Sequence, residues 1–585
     1  MNVVDRPIDY SQFEAGSDCN YWRLDRTLRL AARRNYPDEE FEWAEDHLNE
    51  WGEIVGTTIA ENADVIDRHG PTLCTYDKHG ELWNHVEYHP AQFDNERLAY
   101  EHGIVADSFR PPPSRSERLG LRHHLLLNGI LAFADPGFAC PVAMTGGVAL
   151  VLDRFDDGSL SSYFHQLTAR EYEDAIEGAM FLTEKQGGSD VGANEVRAEA
   201  AEDGTYRLYG EKWFCSNIDA EGTLALARRP DAPAGTDGLS LFLVPHTDRD
   251  GGLNDQEYRR LKDKLGTISV PTGEVVFEGA EAYLVGEPEE GFRYMTEMLN
   301  LERLHNAFAS VGIQGRSLLE SKIHAANREA FGDTIDQYPL MRRDLVEMTV
   351  DYEAAIAFVF AAANALDRRR DAPDGSDTER EAYQLMRLLV PVAKFRTARM
   401  AVETASYACE VLGGNGYVEG FVTERLLRDA QVLPIWEGTS NILSLDVLRA
   451  LEREDAHEAL FAHLRKIFDG VKHEALLDAK GTTEAAYEEL QLALGHLATA
   501  DRREAQHEAK RLAELLFDIV AAAELLSAAQ SRLEDGDGRM ARVTRSFVRD
   551  RFDEDAARGI TDGSTPADDY FDSIVRYAPV DPSDL

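Results

Sequence analysis

The chain has 585 residues, which is too long for one compact core, so two to four domains are expected. It carries 106 acidic and 61 basic side chains, and its formal net charge of −45 excludes a general positive field that would attract nucleic acid. Hydrophobic residues make up 43% of the sequence, a share that excludes a mainly disordered chain.

The excess of carboxylates also bears on the conditions in which the protein is stable. The basic set consists of 50 Arg and only 11 Lys. Carboxylates repel one another at low ionic strength, and concentrated salt screens this repulsion. We therefore hypothesise a halophilic habitat, which predicts unfolding on dialysis into dilute buffer.

Neither a membrane span nor a metal site is expected. The N-terminus lacks the basic stretch and apolar core of a secretory signal, and prolines interrupt the most apolar region, at 125–152. The five cysteines are scattered, and the adjacent pair His123-His124 makes a poor chelate on a helix. These features favour a cytoplasmic protein without a structural metal.

Residues 1–118 are predicted to form an N-terminal extension. Apolar residues recur there at a loose helical spacing, as at Trp43, Leu48 and Trp51. A loop-rich connector follows at 70–90, and its expected role is that of a structural arm or subunit contact. Pro111-Pro112-Pro113 then forms a stiff break.

The rest of the chain alternates between helical and β-prone segments. A helical domain is predicted at 119–179 and a small antiparallel β domain at 180–287, because β-prone runs at 206–210, 223–227, 239–244 and 274–278 are separated by turn residues. Helical periodicity returns in a four-helix domain predicted at 288–452. The periodic segments are 310–326, 339–366, 380–412 and 422–430, and an exposed loop is predicted at 368–377. A further helical domain is predicted at 453–585. The fold class is therefore mainly α with a small central antiparallel β domain.

The most informative segment is Trp436-Glu437-Gly438-Thr439-Ser440-Asn441. Helical spacing begins just beyond it, so the segment is predicted to be a loop that leads into a helix N-terminus. A carboxylate held there against apolar surface can have a raised pKa and act as a general base. The alternative is an ordinary helix cap, with Glu437 solvated.

Two more motifs lie upstream in the chain: Leu182-Thr183-Glu184-Lys185-Gln186-Gly187-Gly188-Ser189 and Leu412-Gly413-Gly414-Asn415-Gly416-Tyr417. With the glutamate-glycine-threonine turn, they resemble the acyl-CoA dehydrogenase superfamily over residues 120–452. Finer details are similar to its adaptive-response branch, which is linked to alkylation damage. These details are Lys185-Gln186, Trp436 and the N-terminal segment Val86-Glu87-Tyr88-His89-Pro90.

The resemblance implies that the protein binds FAD. Leu182 and Thr183 are then expected at the flavin ring edge, and Gly188 and Ser189 at the phosphate end of cofactor or substrate. In the same way, Phe214 is expected to cover one ring face and Ser216 to hydrogen-bond N5. The neighbouring segment 260–266 is assigned a structural role.

The resemblance also implies an oligomer, either a dimer or a tetramer. Arg328 and Phe331 match the family's Arg-x-x-Phe-Gly element, whose arginine reaches the cofactor pyrophosphate of a neighbouring subunit. The glycines Gly413 and Gly414 are expected along the ADP moiety. Two departures weaken this part of the match, because Glu410 and Tyr338 replace residues that are often glutamine.

The implied reaction is the α,β-dehydrogenation of an acyl-CoA thioester, with an electron-transfer flavoprotein as acceptor. Glu437 is the expected base, and its backbone N–H a donor to the thioester carbonyl. Arg303 and Gly438 are expected on the substrate side, and Thr439 and Asn441 on the cofactor side.

Two alternatives remain. An acyl-CoA oxidase would differ by releasing peroxide under air. The other is a flavin-containing, DNA-binding protective protein, since the adaptive-response branch is associated with duplex DNA. The C-terminal segment carries a helical stripe of arginines: Arg539, Arg542, Arg545 and Arg549, with Arg551 beside it. Pairing of these arginines with nearby carboxylates is the more common explanation, and the acidic surroundings disfavour DNA.

Overall fold

The computed structural model describes residues 6–552 and 566–585. The chain divides into two compact units. The first unit contains the segment up to Gly56 together with the chain from Asn306 onward, and the second contains Thr57–His305. Within the described ranges, the helices are too short or too polar for any one of them to cross a bilayer.

The N-terminal segment supplies three helices to the first unit: α1 (Tyr21–Leu24), α2 (Arg26–Asn35) and α3 (Asp38–Ile54). Side chains that accept hydrogen bonds from first-turn N–H groups start two of them, Asn20 for α1 and Asp25 for α2. Leu48 and Trp51 are fully buried on α3, in agreement with the helical spacing of the sequence.

The second unit begins with helices and one hairpin: α4 (Ala60–Arg68), β1 (Thr72–Tyr76), β2 (Leu82–Glu87), α5 (Pro90–Glu101), α6 (Leu121–Leu131), α7 (Ala139–Phe155) and α8 (Ser161–Leu167). The β1–β2 hairpin is antiparallel and lies in the connector that was predicted to be rich in loops. Strand β1 has no fully buried residue, so the alternation that signals a strand is weak in its sequence.

One seven-stranded sheet forms the β domain: β3 (Gly178–Phe181), β4 (Arg197–Ala200), β5 (Tyr206–Ser216), β6 (Gly222–Arg228), β7 (Leu239–Pro245), β8 (Gln256–Leu261) and β9 (Thr272–Leu284). The strand order is β3-β6-β4-β5-β9-β7, with β8 paired to β9 outside this path. Strand β7 also pairs with β6, which closes the sheet on itself. The predicted β-prone runs lie in β5, β6, β7 and β9. The sheet is mainly antiparallel as predicted, but β3 pairs with β6 in parallel.

Long helices follow the sheet, with a two-residue hairpin among them: α9 (Gly291–Asn327), β10 (Glu329–Ala330), β11 (Asp333–Thr334), α10 (Pro339–Asp371), α11 (Asp377–Leu412), α12 (Val422–Ala430) and α13 (Ser440–Glu454). They confirm the predicted helical periodicity. Helix α10 continues to Asp371, beyond its predicted end at residue 366. The arginines of its last turn stabilise this extension, because positive charge is favourable at the negative C-terminal end of the helix dipole.

The C-terminal helices are α14 (Ala456–Gly470), α15 (Leu477–Leu497), α16 (Arg502–Glu534), α17 (Arg539–Phe552) and α18 (Pro566–Ile574). Arg539 of α17 is buried, and its guanidinium pairs with the buried carboxylate of Glu353 on α10. Its Nε donates to the Ser573 carbonyl at 2.7 Å. A mainly helical fold with one small β domain is therefore confirmed.

Candidate active site

Glu437 lies in a tight turn just before α13. Its backbone φ is +54°, and the next residue, Gly438, has a φ of +101°. A left-handed conformation is rare for glutamate and costs about 1–3 kcal/mol, so the surrounding contacts must hold the turn in place. The carboxylate oxygen Oε2 is shielded from solvent. The carboxylate is therefore not freely solvated, whereas an ordinary helix cap would leave it in solvent.

Helix α13 begins at Ser440, which confirms the predicted loop before a helix N-terminus. Thr439 occupies the N-cap position, but its side chain makes no capping hydrogen bond. Thr439 and Asn441 are both exposed at this end of the helix. The Thr439 side chain is thus not used as a cap, and the side chains of Thr439 and Asn441 face outward at this end of the helix.

A buried lysine that the sequence interpretation overlooked holds the Glu437 turn. Lys394 lies on α11, is fully buried, and donates from Nζ to the Gly438 carbonyl at 2.6 Å. Buried lysines are rare unless a specific partner binds them. The only signal in the sequence is a single lysine in the otherwise apolar stretch 388–395, and it does not identify a partner.

Phe214 occupies a bulge in the central strand β5. Its register with β9 shifts between Lys212 and Cys215, so that Trp213 and Phe214 together face one residue of β9, Glu274. Phe214 is 54% exposed, although the strand residue that follows it is fully buried. The bulge therefore turns a large apolar ring outward from the sheet.

Ser216 lies two residues beyond Phe214, at the end of β5. Its hydroxyl is 3.0 Å from the hydroxyl of Thr272, the residue opposite it on β9. The side chain remains half-exposed, so the hydroxyl is accessible to a ligand.

The loop 182–189 is tied to β5 by a buried ion pair. Lys212 Nζ lies 2.8 Å from Glu184 Oε1 and donates to the Leu226 carbonyl at 3.0 Å. The Trp213 N–H donates to the Thr183 carbonyl at 2.9 Å. Burial lowers the pKa of Lys212, while the charge of Glu184 opposes that shift. Leu182 and Thr183 are thereby fixed beside Phe214.

Within this loop, Gly188 allows a close approach that another residue would block. A Cβ built on Gly188 would lie 2.6 Å from Thr183 Oγ1. Ser189 follows on the exposed side of the loop. The structure thus brings Leu182, Thr183, Gly188 and Ser189 together with Phe214 and Ser216 in the second unit.

Arg328 and Phe331 belong to the β10–β11 hairpin, whose tip is formed by Phe331 and Gly332. Both tip residues have positive φ, +57° and +105°, as a two-residue turn of this hand requires. The Phe331 ring is 99% exposed, while the Tyr338 hydroxyl donates to the Ala330 carbonyl at 2.7 Å. Tyr338 therefore braces a hairpin that presents an aromatic ring to its surroundings.

The glycines after α11 form a short 3-10 turn, Gly413–Tyr417. A Cβ on Gly413 or Gly414 would meet nothing within 4 Å, so these two positions face open space. At Gly416, in contrast, a Cβ would lie 2.3 Å from the Cys409 carbonyl oxygen. The first two glycines leave room for a ligand, and Gly416 is required by packing.

Gly416→Ala is expected to destabilise the first unit by about 1–3 kcal/mol, because the added methyl group overlaps backbone that cannot move freely. Gly414→Ala is the matched control, since its methyl group enters open space. Chemical denaturation of the two variants measures the difference, and equal midpoints would show that the turn at Gly416 adapts without cost.

Arg303 lies on α9, one residue after the buried Glu302, and is itself half-exposed. The Glu302 carboxylate approaches α7 closely, because a Cβ on Gly147 would lie 2.9 Å from Glu302 Oε1. The adjacent Glu-Arg pair is visible in the sequence, but burial of the Glu302 carboxylate is seen only in the structure.

The arginine stripe of α17 is occupied by contacts within the chain. Arg545 donates to the Leu585 carbonyl at 3.1 Å, and Arg551 pairs with Asp351 at 2.5 Å. Arg542 lies over the Tyr570 ring, and Arg549 pairs with Asp550 at 3.1 Å. With Arg539 paired to Glu353, three of the five arginines pair with carboxylates, as the more common explanation expected, while Arg542 and Arg545 make other contacts within the chain.

Comparison with known proteins assigns three consecutive parts of the chain. Residues 11–174 match the N-terminal domain of the adaptive response protein AidB. Residues 179–280 match the middle domain of acyl-CoA dehydrogenases, and residues 289–452 match their C-terminal domain.

Individual relatives agree with this assignment. The chain is 35% identical to the putative acyl-CoA dehydrogenase AidB of Escherichia coli, over 70% of this chain and 75% of that protein. It is 33% identical to acyl-CoA dehydrogenase family member 11 of Caenorhabditis elegans, over 80% and 76%. A crystal structure of C. elegans ACDH-11 in complex with C11-CoA is similar with a TM-score of 0.85 and 28% identity, covering 92% of each chain. The chain therefore belongs to the acyl-CoA dehydrogenase family of flavin-dependent oxidoreductases, in the branch with the adaptive-response N-terminal domain, and FAD is its cofactor.

Proposed function

We propose that the protein dehydrogenates an acyl-CoA thioester at Cα and Cβ, with Glu437 as the base. The observation that carries this proposal is the Glu437 turn. A glutamate is held there in a left-handed conformation, with one carboxylate oxygen shielded from water. A carboxylate held in a fixed position in this way is the type of group that serves as a general base.

The residues of the second unit fit an isoalloxazine ring. Phe214 offers an apolar face, and Ser216 offers a hydroxyl on the same strand. Leu182 and Thr183 lie beside them, in a loop fixed by the Lys212–Glu184 pair. When bound, FAD supplies the acceptor for the hydride that leaves Cβ.

The protein's own residues have four tasks in this reaction. Glu437 takes the proton from Cα. The electron pair of that Cα–H bond then forms the double bond of the enoyl product. The backbone N–H of Glu437 polarises the thioester carbonyl, which makes the Cα proton more acidic. Lys394 fixes this turn through the Gly438 carbonyl, and Arg303 is assigned to the acyl side.

The substrate class follows the relatives. The C. elegans ACDH-11 crystal structure contains C11-CoA, and we propose an acyl-CoA substrate for this chain as well. An electron-transfer flavoprotein is the proposed acceptor of the electrons. Peroxide formation in air-saturated buffer would instead identify an oxidase.

A homo-oligomer, dimer or tetramer, completes the proposed cofactor site. Arg328 and Phe331 are presented on an exposed hairpin, and Gly413 and Gly414 face open space. We assign these four residues to the ADP part of a cofactor shared with a neighbouring subunit, where the guanidinium fork suits a pyrophosphate. Thr439 and Asn441, exposed at the start of α13, are assigned to the same cofactor.

Anaerobic titration of the purified yellow protein with a panel of acyl-CoAs tests the proposal. We expect the flavin absorbance to bleach with at least one straight-chain or branched acyl-CoA. Free CoA is the control, because it binds without offering hydrogens to remove. An unchanged spectrum with every thioester would contradict a dehydrogenase and favour the protective, DNA-linked alternative, although its arginine stripe is engaged within the chain.

We also propose that the net charge adapts the protein to concentrated salt. The Debye length grows from about 3 Å at 1 M salt to about 30 Å at 0.01 M, so dilution exposes carboxylates to mutual repulsion. We expect the thermal midpoint to fall steeply on dilution, with loss of helical circular dichroism at the lowest salt. Sucrose in place of salt is the control, and an unchanged midpoint at low salt contradicts the halophilic hypothesis.

A further inference from the structure

Lys262 follows strand β8 and lies against both bulged aromatic rings of β5. Its Nζ is 3.7 Å from the centroid of the Trp213 ring and 4.6 Å from that of Phe214. The same ammonium group is 2.8 Å from Glu274 Oε1, and the Lys262 side chain is only 12% exposed. Lys262 is thus a nearly buried cation fixed behind the ring that we assign to the flavin face.

Irregularities in strands β5 and β8 place Lys262 against the two rings. One bulge, on β5 between Lys212 and Cys215, lies opposite Glu274 of β9, and a second, on β8 between Tyr258 and Arg260, lies just before Arg260, the residue that pairs with Glu274. A bulge interrupts the alternation of side chains and redirects them, and bulges are over-represented next to active sites. These two bulges bring the cation and the aromatic rings to one place.

Glu274 anchors the ammonium group of Lys262 and is shared with Arg260. Burial alone would raise the pKa of Glu274, but its hydrogen bonds with Lys262 and Arg260 outweigh burial and hold the pKa below its ordinary value. One carboxylate therefore faces two cations. A third cation, Lys185, has its Nζ 5.1 Å from the Trp213 ring centroid.

The positive charge is unusual for this chain. The whole sequence has a net charge of −45 and only 11 lysines, and four of them lie in the β domain: Lys185, Lys212, Lys262 and Lys264. A lysine held against an aromatic face gains cation–π attraction in addition to its ion pair. At Lys262 the ion pair and the cation–π contacts hold one of these few cations at the Trp213 and Phe214 rings.

We propose that Lys262 is a positioning residue that holds Phe214 in place and keeps a positive charge beside the cofactor face, which raises the reduction potential of the bound flavin. This inference rests on the proposed function. A flavin that gains negative charge on reduction is stabilised by a nearby cation, and the effect is largest where solvent is excluded.

The test compares the flavin reduction equilibrium in Lys262→Met and the wild-type holoprotein, measured against a reference dye without any acyl-CoA. We expect the equilibrium constant for reduction to fall about tenfold in Lys262→Met, which corresponds to about 30 mV for a two-electron couple. Lys262→Arg keeps the charge and should stay near the wild-type value. Lys78→Met, at an exposed position in the same unit, is the matched control and should shift the equilibrium less than twofold.

Each outcome separates the two proposals. A wild-type protein that binds no flavin contradicts the proposed function itself. A flavin-loaded Lys262→Met protein with an unchanged equilibrium overturns the role of Lys262 and leaves the proposed function intact. If Lys262→Met loses its flavin, Lys262→Gln replaces it in the comparison. Loss of flavin in that variant too would overturn the charge effect in favour of a purely structural role.

Discussion

Glu437→Gln is expected to leave FAD bound and to slow the bleaching of the flavin by acyl-CoA at least about 1000-fold. The amide has nearly the same shape as the carboxylate but cannot accept the Cα proton, and a positioned base contributes about 100- to 10,000-fold. Stopped-flow absorbance under anaerobic conditions measures the rate, and the visible spectrum of the purified variant reports whether the cofactor is retained.

Glu452→Gln is the matched control for this experiment. Glu452 is an exposed residue of α13, the helix that follows the Glu437 turn. Glu452→Gln therefore removes the same charge as Glu437→Gln but leaves the turn unchanged. The control should bleach at the wild-type rate. Normal bleaching by Glu437→Gln would remove Glu437 from its assigned role, whatever the control shows.

Lys212→Met is expected to destabilise the second unit by about 3–5 kcal/mol and to weaken FAD binding. Removing one partner of a buried ion pair leaves the other charge without compensation, and Glu184 is also buried. The same change frees the loop that carries Leu182 and Thr183, because Lys212 also donates to the Leu182 carbonyl at 3.4 Å. Denaturant unfolding followed by circular dichroism measures the loss of stability.

Two comparisons isolate the pair as the cause. Lys78→Met removes an exposed lysine from the same unit and should change stability by less than about 0.5 kcal/mol. The double change Lys212→Met with Glu184→Gln should be more stable than Lys212→Met alone, because no buried charge is left unpaired. A double variant that is equally or more unstable would contradict this explanation.

The helices were predictable because their signal is local. Helix α11 repeats apolar residues at helical spacing, Ser376 caps its start, and Gly413 ends it with a positive φ. An element that is buried on all sides, or on none, lacks the alternation of apolar and polar residues by which a helix or strand is recognised in a sequence. The β1–β2 hairpin was missed for the second reason, since β1 has no fully buried residue.

The candidate site was only partly predictable from the sequence. Short motifs identify residues that approach a ligand, such as Glu437 with its glycine and Thr183 with Gly188, because the backbone there needs particular residues. They do not identify the residues that hold those motifs. Lys394 lies more than 40 residues before Glu437, and no periodicity links the two.

The sequence by itself determined the helical and β-prone segments, the family motifs and the carboxylate available for chemistry. Only the tertiary structure decided that Lys394 binds the Gly438 carbonyl, that Lys212 anchors the 182–189 loop, and that two bulges bring Lys262 to Phe214. It also decided that the arginines of α17 serve contacts within the chain. The physical reason is range: propensity and periodicity act over a few residues, whereas a buried charge finds its partner wherever the fold brings one close.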